Sequence, residues 1–293
     1  MTDASVVIVT YNGLPWIEQA LESVAGAETV VVDNGSTDGT VAFVRERFPE
    51  ATVLEQENRG LAAGWNAGIA ATASRYVLLL NSDAWLDAGA LDALVSFADV
   101  HPDVAVVGPR LRNPDGTLQR SVRGFPTLWR LATEYLFLRK LAPRSRALNA
   151  FYAGGFAHDA ERDADFLMGA VWLVRRAAID EVGPADEEFF LFSEEVDWAY
   201  RFRKAGWRSV FFPGVGATHV YGASHKGLLY LELQRGHLRF FAKHRGAKYA
   251  ERARQLLRAG LLLRGAVYRG ERGRVYREAA AWLGSGSVDR LLS

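Results

Sequence analysis

The stretch Ser5-Val6-Val7-Ile8-Val9-Thr10-Tyr11-Asn12-Gly13 is a β-branched run that stops at a polar turn. Further apolar runs follow at 30–32, 51–54 and 76–80. Helical patterns separate or follow these runs at 15–24, 39–48, 61–73 and 88–100. Strands that alternate with helices in this way predict βαβ units, and hence an α/β fold with a parallel sheet.

The pattern changes after residue 104. A turn signal, Asn113-Pro114-Asp115-Gly116, predicts a hairpin or a bent connection after the next strand. Residues 125–165 show no clean period, which is typical of a variable insertion or of an irregular surface segment. Strand-like order returns at 166–174, and helices are predicted at 193–205 and beyond His225. We therefore expect a domain at 1–224, with a first half at 1–100 and a second half at 101–224, and a basic helical extension at 225–293.

The composition restricts the class of protein. The 293 residues are 49% hydrophobic and 24% charged, which is enough to bury a full core. A formal charge of +1 gives no overall attraction to nucleic acid, although basic residues crowd the segment after His225. Cysteine is absent, so any metal must be held by oxygen or imidazole ligands. Neither a leader pattern nor an apolar run of about 20 residues is visible, which predicts a cytoplasmic protein.

Polar residues follow the first two strands, at the edge where a parallel sheet binds its ligands. Thr10, Tyr11 and Asn12 follow the first run, and the second run ends at Asp33. A carboxylate at this edge can accept the imide N–H of uracil or thymine, and an adjacent aromatic ring can stack on the base. A pyrimidine nucleotide is thus predicted, with guanine as a second option because it also offers a ring N–H. Alternatively, Asp33 and Ser36 are turn and helix-capping residues.

A third group of polar residues, Asn81-Ser82-Asp83, ends the very apolar run 76–80. A carboxylate that leaves such a strand is costly to bury unless a positive charge meets it. A divalent cation that bridges a diphosphate would supply that charge, so Asp83 is a candidate metal ligand. The alternative is that Asp83 caps a following helix.

The segment Ser193-Glu194-Glu195-Val196-Asp197-Trp198 stands at a predicted helix start and follows the aromatic residues of 189–192. Apolar surroundings can keep one of the two adjacent glutamates basic enough to take a proton from a hydroxyl group. Alternatively, the acids form a solvated face that interacts favourably with the helix dipole. His219 follows another strand-like run and is a candidate metal ligand only in the company of these acids.

The order of these motifs resembles that of the family-2 inverting glycosyltransferases, especially their bacterial rhamnosyltransferase branch. The resemblance covers residues 5–246 and rests on V-I-V-T-Y-N-G, V-V-D-N-G-S-T-D-G-T, E-N-R-G-L-A-A-G-W-N-A-G, L-L-N-S-D-A, N-P-D-G-T-L-Q, F-L-M-G-A and F-F-L-F-S-E-E-V-D-W-A-Y-R-F-R-K-A-G-W. It implies a GT-A-type, Rossmann-like fold, in which helices flank a mixed, mostly parallel sheet and a helical extension ends the chain. The half at 1–100 would be the nucleotide-binding half, and the half at 101–224 would be the metal and acceptor half.

The resemblance also implies roles for individual residues. Those implied for the nucleotide or donor are Thr10, Tyr11, Asn12, Asp33, Asn58, Gly60, Asn66, Ser82 and Asp83. Asp83 and His219 would hold Mg²⁺ or Mn²⁺, and Glu195, paired with Glu194, would be the catalytic base. The residues implied on the acceptor side are Gly169, Ala170, Asp197 and Trp198.

Two positions depart from the family pattern. Asn81 stands where the metal triplet often begins with aspartate, which leaves one negative charge fewer for the cation. Glu195 replaces the usual aspartate and is one methylene longer. Because a displacement near 1 Å can cost about 100-fold in rate, either the backbone compensates or the base is Glu194.

The predicted reaction is a metal-assisted single displacement that moves a sugar, L-rhamnose by resemblance, from a dTDP or UDP donor to a glycan or polyprenyl-linked acceptor. The basic C-terminal segment predicts either peripheral contact with an anionic inner membrane leaflet or a helical surface that forms a homodimer.

Three rival functions differ in sequence. A nucleotidyltransferase would carry a basic Gly-rich loop after the first strand, and a nicotinamide dehydrogenase would carry G-x-G-x-x-G there. Residues 10–13 match neither. A non-catalytic nucleotide-sugar binding module would explain both Asn81 and Glu195.

Overall fold

The computed structural model describes residues 3–142, 145–220 and 229–293. The predicted domain boundary between residues 224 and 225 lies outside the described residues. The strands are β1 Ala4–Thr10, β2 Glu28–Asp33, β3 Thr52–Glu55, β4 Tyr76–Asn81, β5 Ala84–Leu86, β6 Val104–Arg112, β7 Val122–Arg123, β8 Arg162–Ala164, β9 Phe166–Leu167, β10 Val171–Arg175 and β11 Arg208–His219. The α-helices are α1 Ile17–Glu22, α2 Thr40–Arg47, α3 Leu61–Ala70, α4 Ala90–Val100, α5 Leu128–Tyr135, α6 Leu138–Leu141, α7 Arg176–Val182, α8 Glu194–Lys204, α9 Leu229–Arg245, α10 Ala247–Val267, α11 Gly270–Gly284 and α12 Val288–Leu292.

The main sheet has the strand order β3-β2-β1-β4-β10-β6-β11-β5, and β8 also pairs with β11. The first four strands are all parallel, as their alternation with helices predicts. β10 inserts antiparallel between β4 and β6, whereas β11 runs parallel to β6. The predicted mixed α/β sheet is therefore confirmed.

Strand β1, which lies between β2 and β4, is buried on both faces. Every residue of β1 is buried, which is expected when helices cover both sides of a parallel sheet. On one side, the Trp65 ring of α3 stacks at 6.3 Å on Trp172 of β10 and at 6.2 Å on Trp198 of α8. These large buried side chains pack α3 against β10 and α8.

The described residues divide into two compact units. The first comprises those within Met1–Val122, Ala157–Phe190 and Asp197–Tyr221, and it contains the whole main sheet. The second comprises those within Arg123–Phe156, Leu191–Val196 and Gly222–Ser293. It contains α5, α6 and α9–α12, together with the turn that begins α8.

The structure differs from the sequence-based expectation at two places. The segment 125–165, predicted as irregular, contains α5, whose Thr127 N-cap hydroxyl accepts a hydrogen bond from the N–H of Arg130. Asp83 is followed by the short strand β5 rather than by a helix, so the helix-capping alternative for Asp83 is wrong. Three residues that pair only with the distant β11 leave no local strand signal.

Candidate active site

The carboxyl ends of β2, β1 and β4 meet at one edge of the sheet. The strand register places Thr10 beside Asp33, and Val9 beside Asn81. Across β4, the N–H of Asn81 donates to the carbonyl of Ala170 at 3.0 Å. Four segments that are far apart in sequence thus converge where polar residues were predicted to meet.

Asp33 is almost fully buried, and one of its two carboxylate oxygens accepts hydrogen bonds from the backbone. Its Oδ2 accepts hydrogen bonds from the N–H groups of Gly35 at 3.0 Å and Ser36 at 2.8 Å, which is the turn role considered above. Its Oδ1 is buried and has no hydrogen-bond partner among the described residues, and the same holds for Oγ1 of Thr10. Because buried acceptors without partners are costly, these two oxygens suit a ligand donor.

Tyr11 and Asn12 have contrasting environments. The Tyr11 ring is 56% exposed, so it is free to stack on a planar base. Asn12 lies in the left-handed region at φ 53°, and its Oδ1 accepts from the N–H of Thr37 at 2.8 Å. Its own N–H donates to Oγ of Ser36 at 2.7 Å. Asn12 therefore ties the turn after β1 to the turn after β2.

Gly13 brings the first turn close to the Asn81-Ser82-Asp83 segment. A Cβ atom at Gly13 would lie 2.2 Å from Oγ1 of Thr10 and 3.3 Å from Oγ of Ser82. Any side chain at this position would separate the two polar segments, so the glycine is needed for their close approach.

The residues Asn58, Gly60 and Asn66 have mainly structural contacts here. Asn58 Oδ1 accepts from the N–H of Gly60 at 3.1 Å, and Gly60 adopts φ 96°. A Cβ atom at Gly60 would lie 2.2 Å from the carbonyl oxygen of Phe190. The Asn66 amide exchanges hydrogen bonds of 2.9 Å with the backbone of Ala185 in both directions. These residues fix the loop 185–190 against the start of α3.

Asp83 and His219 form the second part of the edge. Pairing of β5 with β11 places Ala84 beside His219, and His219 Nε2 lies 3.4 Å from Oδ1 of Asp83. On the other side of the ring, His219 Nδ1 lies 2.7 Å from Oε1 of Gln119, while Nε2 of Gln119 donates to the carbonyl of His219 at 3.2 Å. Because Gln119 Oε1 is an acceptor, Nδ1 carries the proton, and a neutral ring has its lone pair on Nε2.

A lone pair that faces a carboxylate oxygen is unfavourable unless a cation lies near both or Nε2 itself carries a proton. A carboxylate and an imidazole are suitable ligands for Mg²⁺ or Mn²⁺, which commonly take their remaining ligands from substrate phosphates. Among the described residues, no group of three or more His, Asp or Glu side chains could hold a metal. A cation held by this pair alone would have most of its coordination positions open to other ligands.

The two glutamates lie in the second unit, at the first turn of α8. Burial raises the pKa of Glu195 to about 7, and the backbone N–H groups around it only partly oppose this. Burial, and then the charge of Glu195, raises the pKa of Glu194 well above its ordinary value. The Oε2 atom of each glutamate is buried without a hydrogen-bond partner in the described part of the chain. A carboxylate that titrates near neutral pH is suited to general base catalysis.

The two glutamates directly follow a strained backbone turn. Phe192 and Ser193 both lie in the left-handed region, at φ 68° and φ 72°, although neither is glycine. Such residues cost about 1–3 kcal/mol each and persist only where the surroundings enforce them. Helix α9 packs closely against this turn. A Cβ atom at Gly236 would lie only 2.6 Å from the carbonyl oxygen of Phe192. Sequence patterns gave no sign of this contact.

The residues expected on the acceptor side are largely buried. Asp197 is fully buried and pairs with Arg201 at 2.8 Å, and Trp198 Nε1 donates to the carbonyl of Gly183 at 3.0 Å. Ala170 is buried beside Asn81, and Gly169 is half-buried. The side chains of Asp197 and Trp198 therefore fix the part of α8 that belongs to the first unit.

Gln119 was not predicted as a functional residue. It ends the N-P-D-G-T-L-Q motif, and its Nε2 also donates to Oδ1 of Asn113 at 2.8 Å. The motif was visible in the sequence, but its partner His219 is 100 residues away. No local pattern connects the two.

A sequence model described as Glycosyl transferase family 2 matches residues 5–183. The chain is 34% identical, over 237 residues, to an N-acetylglucosaminyl-diphospho-decaprenol L-rhamnosyltransferase of Mycobacterium tuberculosis, which covers 75% of this chain and 76% of that protein.

Solved structures share the fold. GalNAc-T7 with UDP, GalNAc and Mn²⁺ matches at a TM-score of 0.64 and 15% identity, over 95% of this chain and 55% of that one. A mannosyltransferase of Pyrobaculum calidifontis in complex with GDP-Man and Mn²⁺ matches at 0.57 and 20% identity, over 99% of this chain and 78% of that one. The predicted GT-A-type fold is confirmed by these neighbours.

Proposed function

Since this chain belongs to the family-2 glycosyltransferases, in their rhamnosyltransferase branch, we propose that it transfers L-rhamnose from dTDP-rhamnose to a hydroxyl group of a lipid-linked glycan. The donor sugar and the acceptor class follow the printed name of the mycobacterial relative, which is an L-rhamnosyltransferase that acts on a decaprenol-linked sugar. The observation that best supports the mechanism is the buried Glu195, whose pKa of about 7 suits a base.

The nucleotide is assigned to the edge formed by β1 and β2. The free Oδ1 of Asp33 accepts the imide N–H of thymine, and the exposed Tyr11 ring stacks on the base. Asn12 holds the two turns together, while Asn58, Gly60 and Asn66 border the donor through the loop that they fix. Ser82 lies beside Gly13, at the side of the diphosphate.

The chemical step is a single displacement with inversion. Glu195 removes the proton from the acceptor hydroxyl, the oxygen bonds to the anomeric carbon, and the bond from that carbon to the diphosphate breaks. Burial, and then the charge of Glu195, raises the pKa of Glu194 well above its ordinary value, and we assign Glu194 as the protonated member and Glu195 as the ionised member of the pair. Asp197 and Trp198 act on the acceptor side through the position of α8, and Gly169 and Ala170 act through the strand beside Asn81.

A bound Mg²⁺ or Mn²⁺ would neutralise the negative charge that develops on the leaving diphosphate. Asp83 and His219 would hold it, and Gln119 keeps the Nε2 lone pair of His219 on the correct side of the ring. Asn81 adds no charge to this site, so the affinity for metal is expected to depend on the nucleotide.

The proposal is tested by thermal unfolding with dTDP, UDP, GDP and NAD, each with and without Mn²⁺. A nucleotide at about 100 times its Kd adds roughly 2.7 kcal/mol to the free energy of unfolding, which is about 5 °C in Tm for a chain of this size. We expect this shift with dTDP only when Mn²⁺ is present, and little shift with NAD. A chain that responds to no diphosphate would contradict the nucleotide site.

A further inference from the structure

Helix α10 has one face buried and one face uncovered. Its buried face carries residues such as Ala253, Leu257 and Leu261, and it packs on the neighbouring helices of the second unit. Outside this buried face lie Leu262, Leu263 and Val267, whose exposed fractions are 51%, 42% and 57%. Large apolar residues that are exposed together, rather than singly, mark an interaction surface.

These residues belong to one stripe. Leu256, Ala259, Leu263, Ala266 and Val267 recur at helical spacing, with Leu262 at the edge, and all are exposed or half-buried. The stripe runs over about 17 Å of helix. We name it the α10 stripe.

Basic residues surround the α10 stripe. On the same face, one or two turns towards the start of the helix, Lys248 and Arg252 are exposed, and Arg258 and Arg269 are exposed at its border. Residues 229–293 as a whole contain 14 Lys and Arg against five Asp and Glu, whereas the entire chain has a net charge of +1. The basic charge is thus concentrated in the same segment as the stripe.

A neighbouring element ends close to the end of α10. Lys140 Nζ lies 3.5 Å from the Tyr268 hydroxyl, which places the end of α6 beside the end of α10. Next to Lys140, the Leu141 side chain is 79% exposed. A further exposed apolar residue, with an exposed cation next to it, thus lies near the end of α10.

We propose that the α10 stripe and Leu141 bind the surface of an anionic lipid bilayer. An apolar helix face enters the boundary between headgroups and acyl chains, while the arginines and lysines around it bind anionic headgroups. A second copy of this chain is disfavoured as the occupant, because two such faces would bring like charges together. No helix among residues 3–142, 145–220 and 229–293 is long and apolar enough to span a bilayer.

This inference rests on the proposed function, since a lipid-linked acceptor lies in a membrane that the enzyme must reach. The test is flotation of the full chain with vesicles of phosphatidylcholine alone, or of phosphatidylcholine and phosphatidylglycerol in equal amounts. We expect flotation with the anionic vesicles only, and release at about 1 M salt, where the Debye length is about 3 Å.

Two variants separate the apolar and the electrostatic contributions. Replacing Leu262, Leu263 and Val267 together by Ser is expected to lower the partition coefficient at least about tenfold. Lys248→Gln combined with Arg252→Gln should lower it several-fold and weaken its salt dependence. Val100→Ser is the matched control, because Val100 is a 72% exposed apolar residue on α4 of the other unit.

The proposed surface is overturned if the wild-type chain stays unbound, if the triple Ser variant floats like the wild type, or if that variant converts a dimer to a monomer in light scattering. The nucleotide-dependent Tm shift is measured on the same proteins without lipid. A variant that keeps this shift but does not float has lost only the membrane-binding surface. A wild-type chain that shows no nucleotide-dependent shift would instead contradict the proposed function.

Discussion

At the scale of single residues, the most unusual group is the Glu195 carboxyl. It lies in the first turn of α8, where the helix dipole favours a negative charge, yet burial raises its pKa to about 7. One of its oxygens is buried without a hydrogen-bond partner within the described ranges. An ionised carboxylate in this place is unstable and basic, which is useful for catalysis but costly for folding.

Glu195→Gln should therefore change activity and stability in opposite directions. We expect transfer to fall by roughly 10²–10⁴-fold, because the proton acceptor is lost, while the affinity for dTDP in the presence of Mn²⁺ is retained. The wild-type rate should rise with pH through about 7, as Glu195 ionises. Steady-state kinetics across this pH range, with the exposed Glu50→Gln as control, measure both effects.

The stability of the same variant gives an independent readout. In the wild type the folded state keeps a proton that the unfolded state releases near pH 4.5, so the free energy of unfolding falls as pH rises from about 4.5 to about 7. Glutamine does not ionise, so the variant should lose less stability over this range and have the higher Tm at pH 8. A variant with full activity, or with an unchanged pH dependence of Tm, would remove the assignment of Glu195.

Gln119 is expected to act through His219. Gln119→Leu removes the acceptor for the Nδ1 proton of His219. The ring proton is then free to reside on Nε2, which leaves no lone pair on the nitrogen that faces Asp83. We expect the affinity for Mn²⁺ in the presence of dTDP to fall about 10–100-fold, measured by electron paramagnetic resonance of the free ion. Gln19→Leu, at an exposed position on α1, is the control. Unchanged Mn²⁺ affinity in a folded Gln119→Leu protein would show that the tautomer is not controlled here.

At the scale of elements, α9 and the start of α8 depend on each other. The turn Phe192–Ser193 is held in the left-handed region because α9 approaches it at a glycine. The position of Glu194 and Glu195 is thereby linked to a helix that follows them by some 35 residues in the sequence. This contact lies entirely within the second unit.

Gly236→Ala tests this dependence. The added methyl group would overlap the Phe192 carbonyl, so we expect a loss of about 1–3 kcal/mol in the free energy of unfolding. The turn must also shift, so kcat should fall more than nucleotide affinity. Denaturant unfolding and kinetics measure the two effects, with Ala242→Ser at a half-buried position of α9 as control. Equal stability and kcat in Gly236→Ala would mean that the turn is not held by α9.

At the scale of the whole molecule, the second unit is assembled from segments that are far apart in the chain. Phe125 stacks near Phe240 of α9 at 6.5 Å, and the Tyr135 hydroxyl of α5 accepts from Gln234 Nε2 at 3.0 Å. Arg264 of α10 donates to the Tyr135 carbonyl at 3.2 Å. The segment around α5 therefore obtains its core from the C-terminal helices.

A chain that ends at residue 228 should show this dependence. Without α9–α12, the buried side chains of Phe125, Leu131 and Tyr135 lose their cover. We expect increased binding of the dye ANS and a less cooperative thermal transition than in the full chain. A truncated chain that unfolds cooperatively at the full-length Tm would contradict this account.

Much of the first unit could be predicted from the sequence. The β-branched runs and the helical patterns between them are local signals, and they predict that β1–β4 are parallel strands joined by helices. The polar residues after these strands could be placed together, because the carboxyl ends of parallel strands share one edge of the sheet. Thr10, Asp33 and Asn81 do meet there.

The tertiary structure alone decided the rest. Strand β5 and the Asp83, Gln119 and His219 group exist because β11 pairs with β5 from across the chain, and contacts between residues 100 or more apart leave no local period. The pKa of Glu195 likewise depends on burial and not on residue type. The sequence by itself determined the order of the first strands and helices and the chemical types available at the sheet edge. Only packing determined which of those groups are buried, partnered or left free to react.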